Sequence, residues 1–128
     1  ACYVQAVKLD KGYETSWYNM GLVWADMQRP AEAILSLEVA ISLTSVPDPE
    51  MYLNLGVAYW QADKPFEALE ALEKARNLDP EYSCAHCKLS QFHLELGNYL
   101  MAKQEHEIAK KLSPDCEDVV EFQLPMLP

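Results

Sequence analysis

The stretch YLNLGVAYWQADKPFEALEALEKARNLDP, Tyr52 to Pro80, decides the fold. Its first half places Tyr52, Leu55, Gly56 and Tyr59 at helical spacing, so all four share one face. Its second half does the same with Ala68, Leu72 and Ala75. Between the halves lies DKP, and Pro65 suits the first turn of a helix rather than its interior. Pro80 stops the second run. The stretch therefore reads as two short helices joined by a tight turn.

The same arrangement recurs along the chain. Upstream stand Trp17, Met20, Gly21 and Trp24, then Ala33, Leu37 and Ala40. Downstream stand His86, Leu89, Ser90 and His93, then Ala102, His106, Ala109 and Pro114. The last alanine of the pattern falls at Ala6, Ala40, Ala75 and Ala109, in steps of 34, 35 and 34 residues. Leu9, Leu43, Leu78 and Leu112 take the same steps. One extra residue must lie between Leu43 and Gly56, most simply in the turn TSVPDP. Self-similarity at such a period marks a stacked helical repeat.

The spacing and residue types resemble the tetratricopeptide repeat family, whose 34-residue helix–turn–helix carries a W-x-x-L-G-x-x-Y…A-x-x-x-F…P pattern. Three copies are in phase and half of a fourth precedes them. The resemblance implies an all-α solenoid, a right-handed superhelix of antiparallel helix pairs. Helices are expected near 14–27, 30–44, 49–61, 65–78, 82–96, 98–112 and 116–124. The repeats divide as 14–48, 49–82 and 83–116. Residues 1–13 form the second half of a truncated preceding repeat, and residues 117–128 a partial capping helix and tail. The glycines at position 8, Gly21 and Gly56, let the second helix approach closely, where Ala33 and Ala68 present only a methyl group. Ser90 takes that position in the third repeat, with a hydroxyl expected to bond back within its own helix.

Composition limits the partners. The chain has 128 residues, half of them hydrophobic, and a net charge of −10. That balance argues against nucleic acid, which needs a basic face, and against an anionic membrane surface. It favours a neutral or basic protein partner. No apolar run approaches the ~20 residues of a membrane span. Four cysteines without a disulfide framework point to the cytoplasm. There is no initiator methionine, so the chain reads as a processed product or a piece of a longer protein.

In solenoids of this kind the first helices line a concave face. The resemblance points positions 2, 5, 6, 9 and 13 of each first helix into it, as a site for an extended peptide or a partner helix. These are Thr15, Tyr18, Asn19, Leu22 and Asp26 in the first repeat, and Glu50, Leu53, Asn54, Val57 and Gln61 in the second. In the third they are Cys84, Cys87, Lys88, Gln91 and Glu95. Asn19 and Asn54 share position 6. A side-chain amide both donates and accepts, so successive asparagines could ladder along a peptide backbone, or else bond within their own helices. Some family members clamp the carboxylates of chaperone C-termini with Lys and Asn at positions 5 and 9, Asn at 6 of the next repeat, then Lys and Arg at 2 and 6. Here Tyr18, Leu22, Asn54, Cys84 and Lys88 stand there. Only Asn54 matches, with Lys88 a partial substitute, so chaperone-tail binding is not expected.

SCAHCK places Cys84 and Cys87 at C-x-x-C spacing, and all three histidines lie in the same repeat. Zinc would need two further ligands. His86 and His93 are seven residues apart, roughly 10 Å along a helix at ~1.5 Å per residue, too far to share one ion. His86, His93 and His106 instead occupy packing positions of the pattern. Buried there, they are expected to prefer the neutral form, and the third repeat to weaken as they charge. No glycine-rich phosphate loop and no nucleophile motif is present. The expected function is therefore a non-enzymatic protein–protein interaction module without metal or cofactor. The alternative is an assembly segment of a larger protein that self-associates or docks through its helical ends, where Val4, Val7, Leu9 and the tail FQLPMLP are apolar.

Overall fold

The computed structural model describes residues 13–112. They form six α-helices: α1 (Tyr13–Asp26), α2 (Pro30–Leu43), α3 (Pro49–Gln61), α4 (Pro65–Leu78), α5 (Ser83–Glu95) and α6 (Tyr99–Leu112). No strand occurs among the described residues. The truncated half-repeat and its apolar face, the expected helix at 116–124 and the proline-bearing tail lie outside them. α1 packs on α2, α3 on α4 and α5 on α6, and each pair leans on the next through α2 with α3 and α4 with α5. The solenoid is therefore three helix pairs laid in sequence.

Three identical turns close the pairs. After α1, Gln28 N–H donates to the Ala25 carbonyl and Arg29 N–H to the Trp24 carbonyl. After α3, Asp63 N–H donates to Trp60 and Lys64 N–H to Tyr59. After α5, Gly97 N–H donates to Leu94 and Asn98 N–H to His93. These paired bonds satisfy the last carbonyls of each helix and require a left-handed residue in the turn. That residue is Gln28 (φ 58°), Asp63 (φ 64°) and Gly97 (φ 85°). Only the third copy uses the residue that adopts this region without a Cβ penalty. Gln28→Gly is therefore expected to raise stability by about 0.5–1 kcal/mol, the relief of strain exceeding glycine's entropic cost. Chemical denaturation checks this, and an unchanged or lowered midpoint counts against it.

The loop between α2 and α3 covers residues 44–48, one residue longer than the 79–82 loop between α4 and α5. The insertion that lengthens one repeat step lies there. Proline opens α2, α3 and α4, where a missing N–H costs nothing.

The core follows the small-residue pattern. Ala33, Leu37, Ala40, Ala68, Leu72, Ala75, Ala102 and Ala109 are fully buried. A Cβ placed on Gly21 would lie 2.7 Å from Leu37 Cγ, and one on Gly56 2.9 Å from Leu72 Cγ and 3.0 Å from the Ala68 carbonyl oxygen. These contacts are the close approach that position 8 provides. In the third pair the expectation for Ser90 is corrected. Its hydroxyl does not bond within α5 but donates across the pair to the Ala102 carbonyl at 2.9 Å. Ala102 is the counterpart of Ala33 and Ala68. Serine thus turns the close approach into a hydrogen bond between the two helices.

Candidate functional site

α1 touches α3 and α3 touches α5, so the three first helices stand side by side along one face. The stacking of Trp60 on Phe92 joins α3 to α5, with ring centroids 4.1 Å apart and planes within 2°. Offset or stacked aromatic pairs of this kind add to the area they bury.

A hollow of about 250 Å³ opens between α1, α3 and the loop that enters α3. Glu14, Thr15, Tyr18, Thr44, Asp48, Glu50 and Met51 line it. Three of these are carboxylates and none is a cation. Asn54 braces two of these lining residues, donating to the Tyr18 hydroxyl at 2.6 Å and to the Glu50 main-chain carbonyl at 3.1 Å. Burial, reinforced by the Glu50 carboxylate, holds the Tyr18 phenol well above the usual tyrosine range. Tyr82 is pushed up to about 12, first by burial, then by its neighbour Cys84 and by the carboxylates of Glu50, Asp48 and Asp79. The two phenols are thus neutral donors in a negative setting. A second hollow, of about 360 Å³, is bounded by Gln28, Pro30 and Gln61.

Of the residues expected to line the groove, Thr15, Tyr18 and Glu50 line the first hollow, Asn54 is bonded to Tyr18 and Glu50 there, and Gln61 borders the second. Asn19 and Leu22 are half-buried on α1, and Asp26 is exposed at its end. Leu53 and Val57 pack against the buried cluster of Ala68, Leu72, Leu89 and Phe92, so they serve the core as well as the face. Lys88 and Cys84 are half-exposed, while Gln91 and Glu95 are exposed. Cys87 is 2% exposed and offers a partner almost no surface. No cluster of three or more His, Cys, Asp or Glu among the described residues is placed to hold a metal ion.

Sequence reasoning missed Glu14, Thr44, Asp48 and Met51, which line the hollow from helix starts and the loop rather than from the groove positions. It also missed a buried polar chain behind the groove. Arg76 Nη1 of α4 donates to Glu105 Oε1 of α6 at 2.6 Å. Glu105 Oε2 meets His86 Nδ1 of α5 at 2.5 Å, and His86 Nε2 donates to the Pro80 carbonyl at 2.7 Å. His86 is buried at its packing position, and its ring is also bonded to a carboxylate, a partner that the spacing did not indicate. His93 and His106 behave as expected, both held below the usual histidine range chiefly by burial.

That direction fixes a pH response. A histidine whose folded pKa is depressed favours folding above the unfolded value of about 6.5 and loses that contribution as pH falls from there through the folded value. Stability is expected to fall across this window. Replacing His93 by glutamine, which keeps a polar partner for Asn98, should shallow the fall. Denaturation midpoints at several pH values check this, and a flat profile would contradict it.

Residues 49–82 match the tetratricopeptide repeat family profile. No curated protein sequence matches the chain. Among solved structures, the chain is similar to MamA, with a TM-score of 0.78 and 25% identity, covering 91% of this chain and 70% of that one. It is also similar to PcrH in complex with the chaperone binding region of PopB, with a TM-score of 0.76 and 16% identity over 88% and 90% of the two chains. A third is the second TPR domain of human RPAP3 in complex with the HSP70 peptide SGPTIEEVD, with a TM-score of 0.73 and 23% identity over 80% and 85%. No helix among the described residues is long and apolar enough to cross a membrane. The repeat at residues 49–82 is a tetratricopeptide repeat, and the three helix pairs that include it form a tetratricopeptide-repeat solenoid.

Proposed function

We propose that the chain is a protein–protein interaction module whose concave face, formed by α1, α3 and α5, takes an extended neutral-to-basic peptide or a partner helix. The observation that carries this is the hollow between α1 and α3, walled by Glu14, Asp48 and Glu50 with no cation among its lining residues. A lysine or arginine of the partner fits there, its charge offset by the carboxylates and its N–H groups met by acceptor oxygens. The structural neighbours support the general reading, since PcrH is seen with a segment of PopB and the RPAP3 domain with a peptide. The RPAP3 peptide SGPTIEEVD is acidic. Like charge at Asp48 and Glu50 disfavours that class of ligand here.

Asn54 contributes from beside the hollow, bonded to Tyr18 and Glu50. Its amide N–H groups are engaged by Tyr18 and the Glu50 carbonyl, which leaves its own carbonyl for a backbone N–H of the peptide. Asn19, at the equivalent position of the first repeat, offers the same amide.

Two arrayed peptide sets, identical except that one carries lysine where the other carries glutamate, test the reading by fluorescence anisotropy. The lysine set is expected to bind, and to weaken as salt rises. Asp48→Lys with Glu50→Lys should reduce that binding by about tenfold or more, as expected when like charge faces the ligand. Preference for the glutamate set, or indifference to the charge reversal, would overturn the proposal. Asn54→Ala should cost about 1 kcal/mol of binding, near fivefold, for each peptide hydrogen bond lost. A thermal melt of the same variant separates that loss from damage to the Tyr18 contact.

A further inference from the structure

The starts of α3 and α5 are built alike. Asp48 precedes α3 and Tyr82 precedes α5, each with extended backbone, at φ −76° and φ −79°. The Asp48 carbonyl accepts from the Met51 N–H at 3.0 Å, and the Tyr82 carbonyl accepts from the Ala85 N–H at 3.2 Å. Neither side chain caps its own helix. For Asp48 that is informative, because aspartate is a preferred cap. It walls the hollow against α1 instead. α3 touches α5 as α1 touches α3, so Tyr82 has the matching place one first helix further along the face. The electrostatics agree. Burial first, then Cys84, Glu50 and Asp48 hold the Tyr82 phenol above its ordinary range.

The chemistry changes over that one step. The repeat spacing sets Tyr82 in the place of Asp48 and Cys84 in that of Glu50. Across the junction, Pro49 takes the place of Glu14 and Leu53 that of Tyr18. Each carboxylate of the first hollow thus has an uncharged counterpart. Tyr82, Cys84, Pro49 and Leu53 are all half-buried, whereas Asp48 and Glu50 are exposed. Leu53 is held in place by its packing on the core cluster that contains Leu89 and Phe92. Two carboxylates stand at the edge of this junction. Glu50 belongs to the first hollow, and Asp79 Oδ1 accepts from the Glu81 N–H at 3.1 Å. An ammonium group placed against Tyr82 and Leu53 would give up water for little in return. An alkyl side chain placed there removes apolar wall from water.

We infer that the concave face reads two side chains of the peptide in succession: a lysine or arginine between α1 and α3, and an apolar residue between α3 and α5, against Tyr82 and Leu53. This rests on the groove reading above and narrows its ligand to a basic–apolar motif. Packed helices stand about 8–10 Å apart and an extended chain advances about 3.3 Å per residue, so the apolar residue lies about two to four residues from the basic one. Tyr82 and Cys84 set the second choice as Asp48 and Glu50 set the first.

Anisotropy of glycine–serine peptides that carry one fixed lysine tests this on the full chain. Leucine, serine or a second lysine is placed in turn at each position on either side of the fixed one. Leucine is expected to tighten binding by about fivefold or more over serine at a position two to four residues away, and a second lysine there should not. The variant Tyr82→Asp with Cys84→Glu copies the Asp48 and Glu50 pair to the start of α5. Both new residues suit a helix start, so the fold is expected to hold. In this variant the second lysine should overtake leucine at the same position, while the fixed lysine stays necessary. Leucine without advantage at every position, or an unchanged preference for leucine in the variant, overturns the inference. Nuclear Overhauser contacts in the wild-type complex decide the matter if the variant does not fold. The leucine methyls of the bound peptide should contact the Tyr82 ring, and methyl contacts that leave out Tyr82 refute the assignment. The two readings fail separately. Lysine peptides that bind without help from leucine remove this inference and leave the groove reading standing, whereas no binding by any lysine peptide removes both.

Discussion

Leu37→Ala is expected to lower the unfolding free energy by about 3–5 kcal/mol, the range for a leucine deleted from a tightly packed core. Leu37 is fully buried, and its Cγ and Cδ2 lie 2.7 and 2.8 Å from where a Cβ on Gly21 would stand. The pair is therefore coupled. In the native chain Gly21→Ala forces that methyl into Leu37, at a cost of roughly 1–3 kcal/mol for overpacking. Part of this is offset by about 1 kcal/mol of helix propensity. With Leu37 already alanine, only the Ala33 carbonyl at 3.4 Å remains close, and Gly21→Ala should become stabilising. A double-mutant cycle by urea denaturation reads the change of sign. The same cycle on Gly56 and Leu72 should recover less, because the Ala68 carbonyl stays 3.0 Å from the new methyl after Leu72 is shortened. Equal effects of Gly21→Ala in both backgrounds would show that the close approach does not depend on this pair.

The contrast between those two glycines shows which parts of the fold were legible. The in-phase alanines and glycines encode the helix pairs because a small residue is the physical requirement of a close crossing, and the pattern states the requirement directly. Helix limits came within a residue of expectation for the same reason, since prolines mark the starts of α2, α3 and α4. What spacing does not encode is the direction of a polar bond. Ser90 is small but larger than glycine, and its size alone cannot tell whether the hydroxyl turns into its own helix or toward Ala102. The left-handed backbone of Gln28 and Asp63 was equally hidden, because neither residue type demands it.

The candidate site divides along the same line. Thr15, Tyr18, Glu50 and Asn54 were reached through their repeat positions, which place them on one face whatever their chemistry. Asp48 and Thr44 come from a loop that is lengthened once and repeats nothing, so no periodic argument finds them. Cys87 shares a repeat position with Tyr18 and Leu53 yet is buried, since a smaller side chain at that position sinks between helices. A carboxylate partner for His86 was invisible because Glu105 stands beside Glu107 among lysines on what reads as a solvated helix.

Glu105→Ala is expected to cost about 3–5 kcal/mol, the penalty for removing one partner of a buried charge pair. The loss comes less from the attraction given up than from what is stranded. Arg76 would keep its charge with nothing opposite Nη1, and His86 Nδ1 would face a void. Arg76 is about one-third exposed, so water can reach part of its guanidinium and the lower half of the range is the better expectation. Removing the whole chain is a different experiment. Replacing Arg76, His86 and Glu105 together by apolar residues of similar volume takes away the stranded groups as well, and such exchanges are often neutral or stabilising. The triple variant should therefore recover much of what Glu105→Ala loses. Denaturation midpoints near neutral pH compare the two. A triple variant as unstable as the single one would mean that these residues contribute by shape and not by charge.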